Sequence, residues 1–297
     1  LFYVLPIAQT FAYVTALNFF LGGLFTYALL RVLGAGRAGA LVGAIAYAFS
    51  GFMVVSVVFP MVVSAAIWLP LLVLLIELAL RRAERRQRLN PLLLVAGAVV
   101  VGVQFLAGHV EISLYVLIVA GFFTACRLAV VVGRAGWRSA ISPAIQAIAM
   151  VAIGSALAAV QIVPLYELVT QNFRQGSASY EQVISWAYTW RQAFTFLMPD
   201  FWGNPSHTSY FDLVSGQQTP VTMNFKGEPI QFIMAPNVKN YVEAGAYLGV
   251  LPLLLAAVAV VRVRNRYTWT FFALAVISLL FAFGAPTYKI LFYLVPG

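Results

Sequence analysis

Charged residues are scarce in this chain. Asp, Glu, Lys and Arg make up 9% of its 297 residues, whereas about a quarter of the residues in a typical soluble domain are charged. Hydrophobic residues make up 62%, and the mean hydropathy is +0.91. So few polar side chains cannot cover a surface in water. The composition therefore excludes an ordinary soluble domain and predicts that lipid surrounds much of the chain.

Cysteine and the common catalytic signatures are missing as well. Cys126 is the only cysteine, which excludes a disulfide framework and a metal site built from cysteines of this sequence. There is no Walker A motif, no Gly-x-Gly-x-x-Gly after a predicted strand and no His-Glu-x-x-His, so none of these motifs indicates a nucleotide-binding site or a zinc-protease site. No basic stretch precedes the first hydrophobic run, so we expect a membrane span there rather than a signal peptide.

Eight hydrophobic segments are long enough, or nearly so, to cross a bilayer as helices. Ser50-Gly51 can break the second segment. The sequence predicts an all-α, polytopic membrane protein with a single membrane domain over residues 1–297 and no internal repeat. The segments fall near residues 5–30, 38–58, 61–80, 91–108, 111–128, 142–169, 242–261 and 267–284.

Basic residues follow alternate segments, the first, third, fifth and seventh. This pattern accounts for the net charge of +9 without a nucleic acid partner, and it predicts that these connections are cytoplasmic. Residue 1 then starts on the outer side, so we expect a longer parent protein with a further helix and outer loop ahead of this chain. The residues are Arg31, Arg37, Arg81, Arg82, Arg85, Arg86, Arg88, Arg127, Arg134, Arg138, Arg262, Arg264 and Arg266.

The outer connection at about 170–240 is much longer than a bare helix connection, which is typical of a functional loop. Ser179 and Gln182 predict a capping box that opens a helix running through Met198. Four aromatic residues could give that helix an apolar stripe for the headgroup region, namely Trp186, Trp190, Phe194 and Phe196. Residues 221–225 and 230–234 flank a turn and predict a small hairpin.

Ionisable groups near the outer leaflet are candidates for function, because such groups are costly at membrane depth. Glu167 is the strongest, since it follows Pro164, which can kink its helix and open a cavity. The other candidates are His109, Glu111, Arg174, Asp200, Lys239 and Glu243.

Several of these residues also have simpler interpretations. His109 can cap a helix end, and Glu111 suits the first turn of a helix because of the macrodipole. Arg174 can be solvated or bound to lipid headgroups. Glu77, at the arginine side, has the spacing of a local helix pair with Arg81.

Eight short stretches resemble, in order, the bacterial YfhO-type membrane proteins, a branch of the GT-C superfamily of integral membrane glycosyltransferases. They consist mostly of Gly, Pro and aromatic residues, so it is their order and spacing together that is specific. The stretches are Gly22–Gly34, Ala48–Phe52, Trp68–Leu72, Gly108–Tyr115, Gln161–Glu167, Pro199–Gly203, Tyr241–Leu253 and Gly284–Gly297.

The resemblance implies an enzyme that takes a sugar from a polyprenyl-phosphate carrier and transfers it to a cell-envelope polymer at the outer face of the bacterial plasma membrane. It also implies a catalytic acid in the first outer loop, which we expect to lie ahead of residue 1. By residue type, Glu167, Asp200 and Glu243 could bind the sugar or a divalent cation, and Arg174, His109 or Lys239 could bind the phosphate.

Two other functions fit the sequence. A transporter or flippase for a lipid-linked or polar solute would place charged residues at mid-bilayer depth and would have broken helices in paired halves. A non-catalytic scaffold is the third possibility. Because the candidate residues fall at the outer ends of the segments and no repeat is evident, we rank the enzyme first.

Overall fold

The computed structural model describes residues 5–88, 90–171, 179–201, 209–212, 216–220 and 245–294. In these residues the chain is a multi-pass helical membrane protein, as predicted. Five helical stretches are long and apolar enough to cross a membrane: Ile7–Leu33, Arg37–Val58, Pro60–Glu84, Val110–Ala135 and Trp137–Leu157. Three shorter apolar helices match the other predicted segments: Pro91–Leu106, Val250–Arg262 and Arg266–Ala282.

The described residues form thirteen α-helices, numbered in chain order. They are α1 Ile7–Leu33, α2 Arg37–Ala48, α3 Gly51–Val55, α4 Pro60–Ala66, α5 Trp68–Glu84, α6 Pro91–Leu106, α7 Val110–Ala135, α8 Trp137–Leu157, α9 Ala159–Gln171, α10 Tyr180–Ser185, α11 Val250–Arg262, α12 Arg266–Ala282 and α13 Tyr288–Leu294. Contacts divide the chain into two compact units. The N-terminal unit comprises residues 1–48 and 57–175, and the C-terminal unit comprises residues 49–56 and 176–297.

Three of the predicted segments are broken helices, at Ser50, at Ile67 and, between α8 and α9, at Ala158. The break at Ser50 was predicted, and the Ser50 hydroxyl caps α3 by accepting a hydrogen bond from the Met53 amide at 3.4 Å. The break at Ile67, between α4 and α5, was not predicted. Pro70 lacks the amide hydrogen that would bond to the Ala66 carbonyl, and that carbonyl instead accepts a hydrogen bond from the Tyr47 hydroxyl at 2.7 Å.

Helices α6 and α8 pack closely in the N-terminal unit because glycines lie where they touch. A Cβ atom added to Gly154 would lie 2.7 Å from the Ala98 carbonyl oxygen and 2.5 Å from the Val101 Cβ. A Cβ added to Gly97 would instead meet the flexible side chain of Met150. Small residues allow two membrane helices to approach each other in this way.

We expect Gly154→Ala to destabilise the protein by about 1–3 kcal/mol, the usual cost of overpacking. The obstacle is backbone, which cannot move aside. Gly97→Ala should cost less, because Met150 can adopt another rotamer. Thermal unfolding in detergent, followed by far-UV circular dichroism, measures the effect. Gly133→Ala is the control, since nothing lies within 4 Å of the added atom, and equal stability of Gly154→Ala and Gly133→Ala would contradict the prediction.

The C-terminal unit confirms one local prediction and corrects another. The capping box of Ser179 and Gln182 is present, but α10 ends at Ser185, so the helix predicted through Met198 is wrong. The reason is that a separate 3-10 helix over Trp190–Phe196 begins after Thr189, whose amide donates a hydrogen bond to Gln192 Oε1 at 2.8 Å. Between the two helices the Tyr188 amide donates to the Ala282 carbonyl at 2.7 Å.

A two-stranded antiparallel hairpin follows in the C-terminal unit. Strand β1 (Ser209–Asp212) pairs with β2 (Gln217–Pro220), with Ser209 opposite Pro220. The hairpin predicted at 221–234 lies outside the described residues. The interpretation of the chain as one membrane domain stays a prediction.

Candidate functional site

The turn between α6 and α7 holds His109 as a helix cap. Gly108 has a φ of +86°, which an L-residue rarely adopts, and this turns the chain back after α6. The His109 Nδ1 then accepts a hydrogen bond from the Ile112 amide at 3.2 Å. Across the turn, Gln104 Nε2 donates to the Ser113 carbonyl at 3.1 Å. The simpler interpretation of His109 as a cap is therefore confirmed.

Glu111 lies in the first turn of α7, where the helix dipole favours a negative charge. Its carboxylate is exposed and accepts a hydrogen bond from the Tyr115 hydroxyl at 2.6 Å, one turn further along. This local pair orients the carboxylate at the end of the N-terminal unit opposite to the arginines of α5.

Glu167 lies in α9, a helix in which none of the residues is buried. The helix breaks at Ala158, nine residues before Glu167, whereas Pro164 lies inside α9. The Glu167 side chain is exposed. A role in lining a cavity stays a prediction.

The remaining candidates are distributed unevenly. Asp200 is exposed and lies in the C-terminal unit, whereas His109, Glu111 and Glu167 belong to the N-terminal unit. Arg174, Lys239 and Glu243 lie outside the described residues. Within the described part of the chain, no group of three or more His, Cys, Asp or Glu side chains could hold a metal ion.

The C-terminal unit brings together stretches that are far apart in the sequence. The Gly51 amide donates a hydrogen bond to the Tyr247 carbonyl. A Cβ atom on Gly51 would lie 2.9 Å from both the amide nitrogen and the carbonyl oxygen of Tyr247. Only a glycine allows this approach, so the segment at residues 49–56 is fixed against the stretch that precedes α11.

A cation lies on an aromatic cluster in the same unit. The Lys289 ammonium is 5.3 Å from the centre of the Tyr180 ring. The Phe292 ring meets Tyr180 edge-on at 5.6 Å, and the Tyr293 ring stacks on it at 6.4 Å. Lys289 and Glu181, the residue after Tyr180, are both exposed. We call Tyr180, Glu181, Lys289, Phe292 and Tyr293 the Tyr180 cluster.

Sequence reasoning missed the Tyr180 cluster, although its parts were visible. Gly284 has a φ of +66°, and a Cβ added to it would lie 2.8 Å from the Ala187 Cβ. This close approach brings the chain after α12 back onto the segment around α10, so that α13 reaches Tyr180. The Pro-Thr-Tyr-Lys stretch at 286–289 indicates a turn, but not which helix it packs against.

The predicted aromatic stripe is only partly formed. Trp190 is 65% exposed and meets Phe194 edge-on, while Phe194 stacks on the buried Phe201 at 4.6 Å. Gln192 and Thr195 are buried on the same 3-10 helix. The helix is thus fixed by its buried polar face, and it exposes Trp190.

A second polar site lies inside the N-terminal unit. Arg127 is fully buried in α7. Its Nε donates to Glu77 Oε2 at 2.7 Å, and its Nη2 donates to Glu84 Oε1 at 2.9 Å. Glu77 also pairs with Arg81 at 2.8 Å, as predicted. We call these four residues the Arg127 cluster.

The Arg127 cluster corrects one assignment made from the sequence. Arg127 was grouped with the arginines that follow the fifth segment, but α7 continues to Ala135 and holds Arg127 within the helix. Two carboxylates and two guanidinium groups balance each other, which permits the burial of charges inside a membrane helix. The sequence did contain an indication of this ion pair, since Glu77 and Arg127 both lie in apolar stretches.

Comparison with known proteins finds a family match. The family described as bacterial membrane protein YfhO matches residues 1–214, more than half of the chain. No curated protein and no solved structure matches.

Proposed function

The chain belongs to the YfhO family of bacterial membrane proteins, and from this membership and its own residues we propose that it is a membrane glycosyltransferase. The donor is a sugar on a polyprenyl-phosphate carrier, and the acceptor is a hydroxyl group of a cell-envelope polymer. The arginine-bearing connections face the cytosol, and transfer occurs at the opposite face of the bacterial plasma membrane.

The observation that carries the proposal is the Tyr180 cluster. It consists of an exposed ammonium 5.3 Å above an aromatic ring, with the exposed carboxylate of Glu181 on the neighbouring residue. Two stretches that resemble YfhO-type proteins meet elsewhere in the same unit, at Gly51 and Tyr247. A cation, a carboxylate and aromatic faces are what a phosphate-linked sugar requires for binding.

The chemistry needs few parts, because the donor is already activated. The acceptor oxygen forms a bond to the anomeric carbon of the sugar as the bond from that carbon to the phosphate oxygen breaks. A carboxylate takes the proton of the acceptor hydroxyl, and the phosphate leaves with the electron pair, stabilised by a cation. We assign phosphate binding to Lys289. Asp200 and Glu243 are proposed to bind the sugar or a divalent cation.

A transporter or flippase remains the second candidate, because the Arg127 cluster places charges within two apolar helices. Its charges are mutually balanced, and such a group also serves to join helices. An assay in liposomes distinguishes the transporter from the enzyme. The liposomes contain full-length protein, and they are supplied with a panel of polyprenyl-phosphate hexoses and with cell-envelope polymer. Release of polyprenyl phosphate together with sugar on the polymer supports the enzyme. Carrier that crosses the bilayer with its sugar attached, or no change in the carrier, contradicts it.

In the same assay we expect Lys289→Gln to lower kcat/KM for the donor by about 10- to 100-fold, the loss of a charge-assisted hydrogen bond to phosphate. Lys289→Arg should restore part of the activity. Arg264→Gln is the matched control, since Arg264 is an exposed cation of the same unit between α11 and α12. Equal activities of Lys289→Gln and Arg264→Gln would remove Lys289 from the site.

A further inference from the structure

The arginine-bearing end of the N-terminal unit contains two adjacent cavities. The first, of about 190 Å³, lies between the end of α5, the connection that follows it and the beginning of α8. Its cationic lining residues are Arg82, Arg86 and Arg138. The second, of about 340 Å³, shares Arg82 with the first and adds Arg81 and Arg85. Among the described residues that line these cavities there is no carboxylate.

Within the described part of the chain no carboxylate pairs with the three arginines of the first cavity, whereas Arg81 of the second cavity pairs with Glu77. The nearest carboxylates on α5, Glu77 and Glu84, point to Arg127 and form ion pairs with it. Arg82 donates through Nε and Nη2 to the Arg88 carbonyl at 3.2 Å, and no carboxylate of a described residue forms an ion pair with it. Several guanidinium groups around one cavity fit an anion with several oxygens, and a phosphate above all.

Arg86 gives an independent indication of function. It is the one described non-glycine residue with a positive φ, at +54°, and it lies just after α5, where the left-handed conformation favours glycine. A non-glycine residue there is strained, and such an outlier points to a role for its side chain. With this backbone conformation, Arg86 lines the first cavity.

The buried side chain of Gln146 indicates the rest of the ligand. Gln146 lines the first cavity and is 3% exposed. Its Nε2 donates to the Asn90 carbonyl at 3.3 Å, whereas its Oε1 has no hydrogen-bond partner among the described residues. An unsatisfied buried acceptor needs a donor, and a hydroxyl or amine next to the phosphate of a ligand would supply one.

We propose that the first cavity binds a phosphate group with a neighbouring hydroxyl or amine, held by Arg82, Arg86 and Arg138. Trp137, next to Arg138, is 63% exposed, as an aromatic residue at a membrane interface commonly is. The chemistry is that of a glycerophospholipid headgroup, and it is shared by free glycerol phosphate. The site is separate from the Tyr180 cluster and does not depend on the proposed transfer reaction.

Full-length protein in detergent is titrated with dioctanoyl phosphatidylglycerol, dioctanoyl phosphatidylcholine, glycerol 3-phosphate and inorganic phosphate, and binding is followed by native mass spectrometry. We expect saturable binding of phosphatidylglycerol that Arg86→Gly and Arg138→Gln each weaken about fivefold, the effect of one basic residue near an anionic headgroup. Arg86→Gly should unfold at the same or a higher temperature, because glycine relieves the positive φ. Arg37→Gln removes a cation that lines neither cavity and is the control.

The arms of the titration identify the source of the phosphate. Binding of phosphatidylglycerol alone, with the expected effects of the variants, supports a lipid site. Binding of glycerol 3-phosphate with the same dependence on Arg86 and Arg138 supports the site with a soluble ligand. Absence of saturable binding of any probe, or equal affinities of Arg86→Gly, Arg138→Gln and Arg37→Gln, overturns the proposal.

Discussion

Replacing Arg127 by Met should lower the free energy of unfolding by about 3–5 kcal/mol, the cost of breaking a buried ion pair by removing one partner. The guanidinium is fully buried and within 2.9 Å of both Glu77 and Glu84. Without it, Glu77 and Glu84 both lose the cation that pairs with them inside the N-terminal unit. We expect this to be the largest single effect in the N-terminal unit.

Thermal unfolding in detergent provides the measurement. Followed by far-UV circular dichroism, Arg127→Met should lose its helical signal at a lower temperature than the unchanged protein. Arg127→Lys keeps the charge but loses the forked geometry, so it should lie between the two. Glu77→Gln combined with Arg127→Met removes one charge of each sign and should be more stable than Arg127→Met alone.

Two results would contradict a balanced ion-pair cluster. One is a single Arg127→Met variant as stable as the unchanged protein, which would mean that the guanidinium does not neutralise Glu77 and Glu84. The other is a double variant that is no more stable than Arg127→Met, which would mean that the loss comes from side-chain packing rather than from uncompensated charge.

The sequence predicted the helical segments well, because each depends on local composition. Eight apolar runs gave eight helical regions, and the break at Ser50 followed from a Ser-Gly pair. The break at Ile67 was missed although Pro70 was visible. A proline leaves the carbonyl four residues earlier without its helical hydrogen bond, but only the fold shows that the Tyr47 hydroxyl donates to that carbonyl.

The site was predicted less well, because its geometry depends on contacts between distant segments. The Glu77 and Arg81 pair follows from their spacing of four residues, whereas Arg127 is 50 residues from Glu77 and its pairing requires the packing of α5 against α7. In the same way, His109 was identified as an ionisable residue at a turn, and only its hydrogen bond to the Ile112 amide distinguishes a cap from a ligand.

Replacing Gly51 by Ala should loosen the C-terminal unit at one place. The new Cβ would lie 2.9 Å from two backbone atoms of Tyr247, and backbone atoms cannot move aside as a side-chain tip can. Overpacking of this kind costs about 1–3 kcal/mol, which corresponds to about a 5- to 150-fold change in an equilibrium constant. Amide hydrogen exchange in peptides covering residues 49–56 and 245–249 should become faster by that factor.

Gly39→Ala is the matched control for this change. Gly39 lies in α2 with nothing within 4 Å of an added Cβ, so its replacement should leave exchange at 49–56 unaltered. In Gly51→Ala, peptides from α6 and α8 should exchange at their normal rates, since these helices belong to the N-terminal unit. Faster exchange throughout the chain would indicate global unfolding. Unchanged exchange at 49–56 would contradict the prediction. It would mean that the hydrogen bond from the Gly51 amide to the Tyr247 carbonyl does not protect this segment, and that its contact with residues 245–249 does not depend on glycine.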